Sequence, residues 1–175
     1  QLVNTGTISA GSGTAIRLNA GNEIDSYLIN VGQITGDIVF GAGDDRLMNR
    51  QFVDDFGQLV STGNITLYNS TIDFGAGSNR FDNDRGVITV AGGANLITSA
   101  DLFTTQASIE ARNDVVGSRL TIDGNLSGSF TFGTAVSSAG ADQLVITGDV
   151  ADGSAMSIVL NPTEQFRGET GFTVI

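Results

Sequence analysis

Short runs of alternating apolar and polar residues make up most of the chain, and nearly every run ends in Gly, Asn or Asp. Alternation with a period of two is typical of half-buried β-strands, and Gly and Asn are typical of the turns between them. The pattern Gly-x-Ile-Ser/Thr recurs at 6–9, 32–35, 63–66 and 86–89. The sequence therefore predicts an all-β chain built from repeats.

Asparagine marks a second repeat along the chain. An apolar residue stands two positions before an Asn at 2/4, 28/30, 47/49, 67/69 and 81/83. Identical Asn side chains at equivalent turns can form hydrogen-bonded ladders when strands lie one above another. The spacing of these pairs is irregular, so the repeats are expected to differ in length.

Two decapeptides form the clearest repeat. FGAGDDRLMN at 40–49 and FGAGSNRFDN at 74–83 agree at six of ten positions. Gly adopts the positive φ angles that a tight corner needs, and Asp and Asn accept hydrogen bonds from backbone N–H groups in turns. We therefore interpret each decapeptide as a strand end, a Gly-Ala-Gly corner and the start of the next strand. The predicted turn residues are Gly41, Gly43, Asp45, Asn49, Gly75, Gly77, Asn79 and Asn83.

The last third of the chain continues the repeat in a different form. LTIDGNLSGSFTF at 120–132 aligns with LVITGDVADGSAMSI at 144–158 at an offset of 24 residues. The best helical pattern, ADLFTTQASIEAR at 100–112, predicts at most one or two turns of helix. We expect a single domain, with solenoid coils over 1–112 and C-terminal coils with a cap over 113–175.

These features together predict a parallel β-solenoid, in which each coil buries its apolar residues and stacks on the next. Coils of roughly 22 residues at the ~4.8 Å strand spacing would give about eight coils and a rod on the order of 40 Å long. The repeated corner residues would then have a structural role, with one corner of this kind in each coil.

The composition excludes several kinds of chemistry. The 175-residue chain contains no Cys and no His, and its eight basic residues are all Arg. Zinc sites of Cys and His, Ser–His–Asp nucleophiles and the lysine of a phosphate-binding loop are therefore excluded. The net charge of −11 argues against a nucleic-acid partner, because phosphate contacts need clustered Lys and Arg.

The ordered succession of motifs resembles one protein family. GTIS, GQITGDIVFGAGDDRLMN and TIDFGAGSNRFDN, followed by GNLSGSFTF and GADQLVITGDV, are similar to the passenger domains of Gram-negative autotransporters, of the pertactin-like group. The resemblance covers about residues 1–160 and implies a right-handed parallel β-helix that type V secretion exports to the bacterial cell surface, outside the outer membrane. GADQLVITGDV is similar to the part of such passengers that caps the helix and aids its folding during export.

The resemblance also implies the partners and the role. The chain begins at Gln1, so it is expected to be a segment of a longer protein, covalently continuous with a C-terminal membrane β-barrel. It would be a monomeric stem, structural or adhesin-type, that faces an unknown host or cell-surface ligand and has no catalytic residue, cofactor or metal. Two other functions stay open: a fragment of a β-helical polysaccharide lyase or glycosidase, and a secreted fibre-forming surface module.

A calcium site is one alternative for the first decapeptide. FGAGDDRLM matches the calcium-binding nonapeptide G-G-x-G-x-D-x-U-x at Gly41, Gly43, Asp45 and Leu47, but Phe40 replaces its first Gly. The second copy has Asn79 in place of Asp45 and is not adjacent, whereas Ca²⁺ takes six to eight oxygen ligands. A structural turn is the favoured interpretation.

Paired carboxylates are the catalytic alternative, because two carboxyl groups about 5–10 Å apart can hydrolyse a glycosidic bond. Adjacent strand residues point to opposite sides, so Asp44 and Asp45 are expected to serve a turn instead. The equivalent Arg46 and Arg80 are expected to form structural pairs with carboxylates. The catalytic candidates are Asp44/Asp45/Arg46, Asp54/Asp55 and Asp82/Asp84/Arg85.

Residues 50–62, RQFVDDFGQLVST, are extra relative to the other repeats. An insertion in a solenoid usually forms a loop on one face and often binds a partner. The alternative, which we favour, is that GQLVS at 57–61 is one more solenoid strand, with Phe52 and Phe56 packing on the core.

Overall fold

Stacked parallel strands contain most of the residues that the computed structural model describes, which are 1–19 and 22–164. None of these residues forms a helix, so no helix that could cross a membrane is found in this part of the chain. The strands are β1 (Leu2–Asn4), β2 (Thr7–Arg17), β3 (Tyr27–Asn30), β4 (Gln33–Val39), β5 (Arg46–Val53), β6 (Leu59–Thr62), β7 (Asn64–Tyr68), β8 (Thr71–Asp73), β9 (Arg80–Asp84), β10 (Val87–Gly92), β11 (Ala94–Thr98), β12 (Asp101–Ala111), β13 (Arg119–Asp123), β14 (Leu126–Ser137), β15 (Gly140–Ala141), β16 (Gln143–Ile146) and β17 (Ala155–Pro162).

The strands form a β-solenoid of about six turns, as the sequence predicts. Each turn crosses three faces, and on every face the strands pair in parallel with one inward apolar residue directly above another. Face 1 stacks Leu2, Leu28, Leu47, Phe81, Leu102 and Leu126. Face 2 stacks Ile8, Ile34, Ile65, Ile88, Ile109, Phe132 and Ile158. Face 3 stacks Ile16, Ile38, Ile72, Ile97, Ile122 and Ile146.

These three columns meet inside the solenoid and form its core. Most of their members are completely buried, and β-branched Ile suits a position that is fixed by strands above and below. Burial of one such side chain stabilises the fold by about 1.5–3 kcal/mol. At the corner between faces 3 and 1, the rings of Phe40 and Phe74 stack at a centroid distance of 4.7 Å, and Phe81 packs against Phe74.

Two predictions about the coils are wrong. The structure has about six turns where eight were expected, because residues 50–62 and the longer corner loops add length without adding turns. The stretch 100–112 forms strand β12 and no helix. There, Leu102 and Ile109 fill the inward positions of faces 1 and 2, and this tertiary packing decides the local structure.

The insertion 50–62 is an antiparallel hairpin and not a further solenoid strand, which corrects the favoured interpretation of GQLVS. β5 runs straight past the corner to Val53, and β6 returns beside it with Gln51 opposite Thr62. Phe52 and Phe56 do not pack on the core: they are 45% and 88% exposed. The inward columns are already complete without them, so no core position remains for these rings.

Candidate functional site: the corner ladders and the hairpin

An asparagine ladder occupies the corner between faces 1 and 2. Each amide Nδ2 donates to the Oδ1 of the next Asn at 2.8 Å, and all four side chains are buried. The Nδ2 groups of Asn4, Asn30 and Asn49 also donate to a backbone carbonyl in the next turn, as Asn49 does to Val87 at 3.0 Å. The members are Asn4, Asn30, Asn49 and Asn83. Because each Asn holds its neighbours, the ladder fixes the corner from turn to turn.

The ladder ends at Asn83. Thr104 takes the next position in register and Gly128 the one after it. The Thr104 hydroxyl donates to the carbonyl of Ser127, and the buried Nδ2 of Asn83 has no partner among the described residues. Asn69, which the sequence pattern groups with the ladder, lies outside it and adopts a positive φ of 49°.

A second ladder joins the two decapeptides at the corner between faces 3 and 1. The N–H of Ser26 donates to Oδ1 of Asp45 at 2.6 Å, and the N–H of Asp45 donates to Oδ1 of Asn79 at 2.9 Å. Asn79 in turn donates through Nδ2 to the carbonyl of Ser99. Asp45 is 1% exposed, and its Oδ2 accepts no hydrogen bond from the described residues. One carboxylate oxygen is therefore buried without a donor.

The glycines of the decapeptides let these corners stack closely. Gly75 has a φ of 70° and Gly77 a φ of 120°, and a Cβ on either would collide with the carbonyl of Gly41 or Gly43 in the turn before. Both conditions, the left-handed backbone and the close approach, favour glycine. The Gly-Ala-Gly corner of the second decapeptide can therefore stack directly on that of the first.

Arg46 and Arg80 hold one carboxylate between them. Asp82 is only 7% exposed and accepts from Arg46 at 2.5 Å and from Arg80 at 2.5 Å. The guanidinium of Arg80 also lies 4.2 Å from the ring centroid of Phe103. The cluster lies on the outside of face 1 and joins three consecutive turns, those of Arg46, Asp82 and Phe103. Both oxygens of Asp82 are paired with an arginine.

Two of the other candidate carboxylates, Asp44 and Asp54, accept hydrogen bonds from the backbone. Asp44 accepts from the N–H of Ser78, and Asp54 accepts from the N–H groups of Phe56 and Gln58 in the hairpin turn. Among residues 1–19 and 22–164, no three acidic side chains lie close enough together to hold a metal ion. The carboxylates that the sequence singles out are therefore spread along the solenoid and do not converge on one groove.

Two shallow grooves of about 680 and 670 Å³ lie on the surface. The first runs over face 2 past Thr89, and Glu110 and Arg112 form an ion pair of 2.6 Å in its wall. The second lies beside the decapeptide corner and is lined by Asp101 and Asp123. These two carboxylates accept hydrogen bonds from Asn125 and Thr147. Both grooves are open and hold their charged groups in local pairs.

Sequence reasoning missed the buried polar residues of the remaining corners. Asn95 accepts from the N–H of Ser70, and Asp142 accepts from the N–H of Ser118. Their signal in the sequence is a single Asn or Asp one or two residues before a Leu, which is too common to be diagnostic. At the end of the described chain, hydrogen bonds from the hydroxyl and N–H of Ser138 lower the pKa of exposed Glu164 below its ordinary value.

The hairpin is the most exposed apolar feature of the described chain. Its tip carries Asp54 and Asp55, and its base carries Arg50, which forms a backbone bridge to Arg85. Neither arginine has a carboxylate within ion-pair distance among the described residues. Its exposed apolar side chains are Phe52, Val53, Phe56, Leu59 and Val60.

Comparison with known proteins adds no relative. No protein-family model, curated protein or solved structure matches this chain.

Proposed function

We propose that this chain is a structural stem segment of a surface-exposed passenger that is exported by the autotransporter route. The proposal rests on the motif resemblance and on how the repeated residues are used. The repeated Asn, Asp and Arg side chains form hydrogen bonds and ion pairs from one turn to the next, and the repeated glycines let the turns approach closely. In this role the chain has no catalytic machinery and presents its outer faces to a host or cell-surface ligand.

The mechanism would be mechanical. A coil that forms outside the membrane offers a ready edge to the coil that follows, so folding can draw the chain outward. The lengths of the parallel ladders support a leading role for the C-terminal coils. β12 pairs with β14 and β14 with β17 over long registers, from Leu102↔Leu126 to Ala111↔Thr134 and from Ser129↔Ala155 to Val136↔Pro162. At the N-terminal end, β1 and β3 pair only from Leu2 to Asn4, and the pairing of β2 with β4 is interrupted by register shifts between Ser9 and Ile16.

The length of these C-terminal ladders is the observation that carries the folding role, and truncation tests it. Removal of 140–175 should slow refolding and lower its yield far more than removal of 1–20, because it takes away β17 and with it the whole ladder that β17 forms with β14. Refolding is followed by circular dichroism after dilution from denaturant. Equal effects of the two truncations would contradict templating by the C-terminal coils.

The export route has a separate test in the parent reading frame. Beyond residue 175 we expect strands of about ten residues with alternating apolar and polar positions, the pattern of a membrane barrel. A parent chain that continues only into more repeats would remove the autotransporter assignment and favour a secreted fibre.

A further inference from the structure

We propose that the hairpin 50–62 is a self-association surface, through which two copies of this chain pair at the β6 edge. The first observation is the open edge itself. β6 pairs with β5 on one side, and on its other side no strand pairs with it among the described residues. An exposed edge with apolar side chains is a template for another strand.

The second observation is that both sides of the hairpin are apolar. Phe52 lies opposite Ser61 on one side, and Val53 lies opposite Leu59 on the other. Phe56 at the turn is 88% exposed and Leu59 is 58% exposed. The hairpin extends about 14 Å beyond the corner at the usual rise of a strand. Phe52 on one side and Val53 on the other remain 45% and 47% exposed.

The third observation is charge, and it selects a second copy as the occupant. When two β6 strands pair antiparallel about a twofold axis, the tip of each hairpin lies beside the base of the other. The tip carries Asp54 and Asp55, whereas the base carries Arg50 and Arg85 with Asp84. Although the chain has a net charge of −11, the acidic tip of each copy would lie beside the arginines of the other copy, so the dimer has two attractive contacts.

The size of the surface predicts a reversible dimer. The five exposed apolar side chains offer about 500 Å² per copy, from the area that aromatic and aliphatic side chains bury. Two copies then bury at most about 1,000 Å², the lower limit of specific interfaces. Dissociation constants on the order of 10–100 µM are expected for so small an interface. This proposal replaces the sequence-based expectation of a monomer.

Sedimentation velocity of the full chain, from about 1 to 300 µM, tests the proposal over the range of expected affinity. The expected result is a monomer that becomes a dimer as concentration rises, and a weaker dimer at high salt. The control variant replaces 50–62 by one valine, which copies the Asn30-Val31-Gly32 corner of the preceding turn. It should stay monomeric while it melts like the parent. A monomeric parent at every concentration, or a control that dimerises equally, would overturn the proposal.

Charge exchange tests the antiparallel arrangement. Asp55→Arg and Arg50→Glu should each weaken self-association by about tenfold, since each places like charges between tip and base. A mixture of the two variants should recover the parent affinity, because both tip–base contacts are again opposite in sign. If the mixture associates no better than either variant alone, the second copy is not held in this way. Binding of an unrelated extended peptide to a chain that stays monomeric would also contradict the proposal.

Discussion

The coils and the hairpin use the same kinds of residue in opposite ways. In the coils, Phe74 and Phe81 are fully buried and pack against each other in the core, whereas in the hairpin Phe56 is 88% exposed. At the decapeptide corner, positive-φ Gly75 and Gly77 lie against the backbone of the turn before, whereas Gly57 in the hairpin turn has open space around it. The fold therefore depends on the stacking of turns, and a residue's contribution is decided by whether another turn lies above or below it.

Removal of a ring should separate the two regions most strongly. Phe81→Ala is expected to lower the free energy of unfolding by about 3–5 kcal/mol, because it opens a cavity between Leu47 and Leu102 that neighbouring turns cannot close. Phe56→Ala, the matched change in the hairpin, should alter it by less than about 0.5 kcal/mol. Urea unfolding at low protein concentration measures both. A similar loss for the two variants would contradict the contrast between coil and hairpin.

A methyl group on a corner glycine should have the next largest effect. Gly75 and Gly57 have φ angles of 70° and 76°, so alanine strains both backbones alike. In Gly75→Ala the new Cβ also collides with the carbonyl of Gly41, and the expected loss is about 3 kcal/mol, from strain and overpacking together. Gly57→Ala should cost about 1 kcal/mol from strain alone.

Thermal melting of the two glycine variants, under identical buffer conditions, gives the difference between them. The comparison isolates the close approach of stacked turns, since the φ angles are matched. Equal melting temperatures for the two variants would show that stacking adds nothing at this corner.

Replacement of the buried Asp45 carboxylate by an amide should have the smallest of these effects on the free energy of unfolding, and the change should stabilise the fold. Asp45 leaves Oδ2 without a donor, whereas Asn79 at the equivalent corner donates through Nδ2 to two carbonyls. Asp45→Asn is therefore expected to gain about 1 kcal/mol, by removing a buried unsatisfied acceptor. Asp54→Asn in the hairpin should be nearly neutral, because the amide oxygen can accept the same N–H groups. Urea midpoints at neutral pH give both, and a loss of stability in Asp45→Asn would contradict the argument.

The register of the coils could be predicted because the residues that match between sequence repeats are the ones that stack in the structure. Ile8, Ile34, Ile65 and Ile88 occupy the same place in one motif, and the structure stacks them. The same is true of Leu120 over Leu144 and Ile122 over Ile146, at the offset read from the sequence. In stacked, in-register parallel strands, equivalent residues of successive repeats lie on top of one another, so a repeat in the sequence predicts which residues are in contact.

The hairpin could not be predicted in the same way, because a strand pattern does not tell which strand it pairs with. Leu59 and Val60 have the strand propensity of a solenoid coil, and they do form a strand, but one that pairs antiparallel to β5 in solvent. The sequence also could not predict that Oδ2 of Asp45 has no hydrogen-bond donor among the described residues, or that the asparagine ladder ends at Asn83. Both depend on which side chain the next turn presents.

The corner at Asn49 accommodates the hairpin without a change in the ladder. Asn49 and Asn83 are 34 residues apart and Asn30 and Asn49 only 19, yet the two hydrogen bonds between them have the same length of 2.8 Å. Lengthening a closed loop costs little, about 0.6 kcal/mol for each doubling. The corner is thus a site where segments of different length and chemistry can be exchanged over evolution while the core stays as it is. The outer surface of the solenoid can therefore change at this corner while the hydrogen bonds that join its turns are kept.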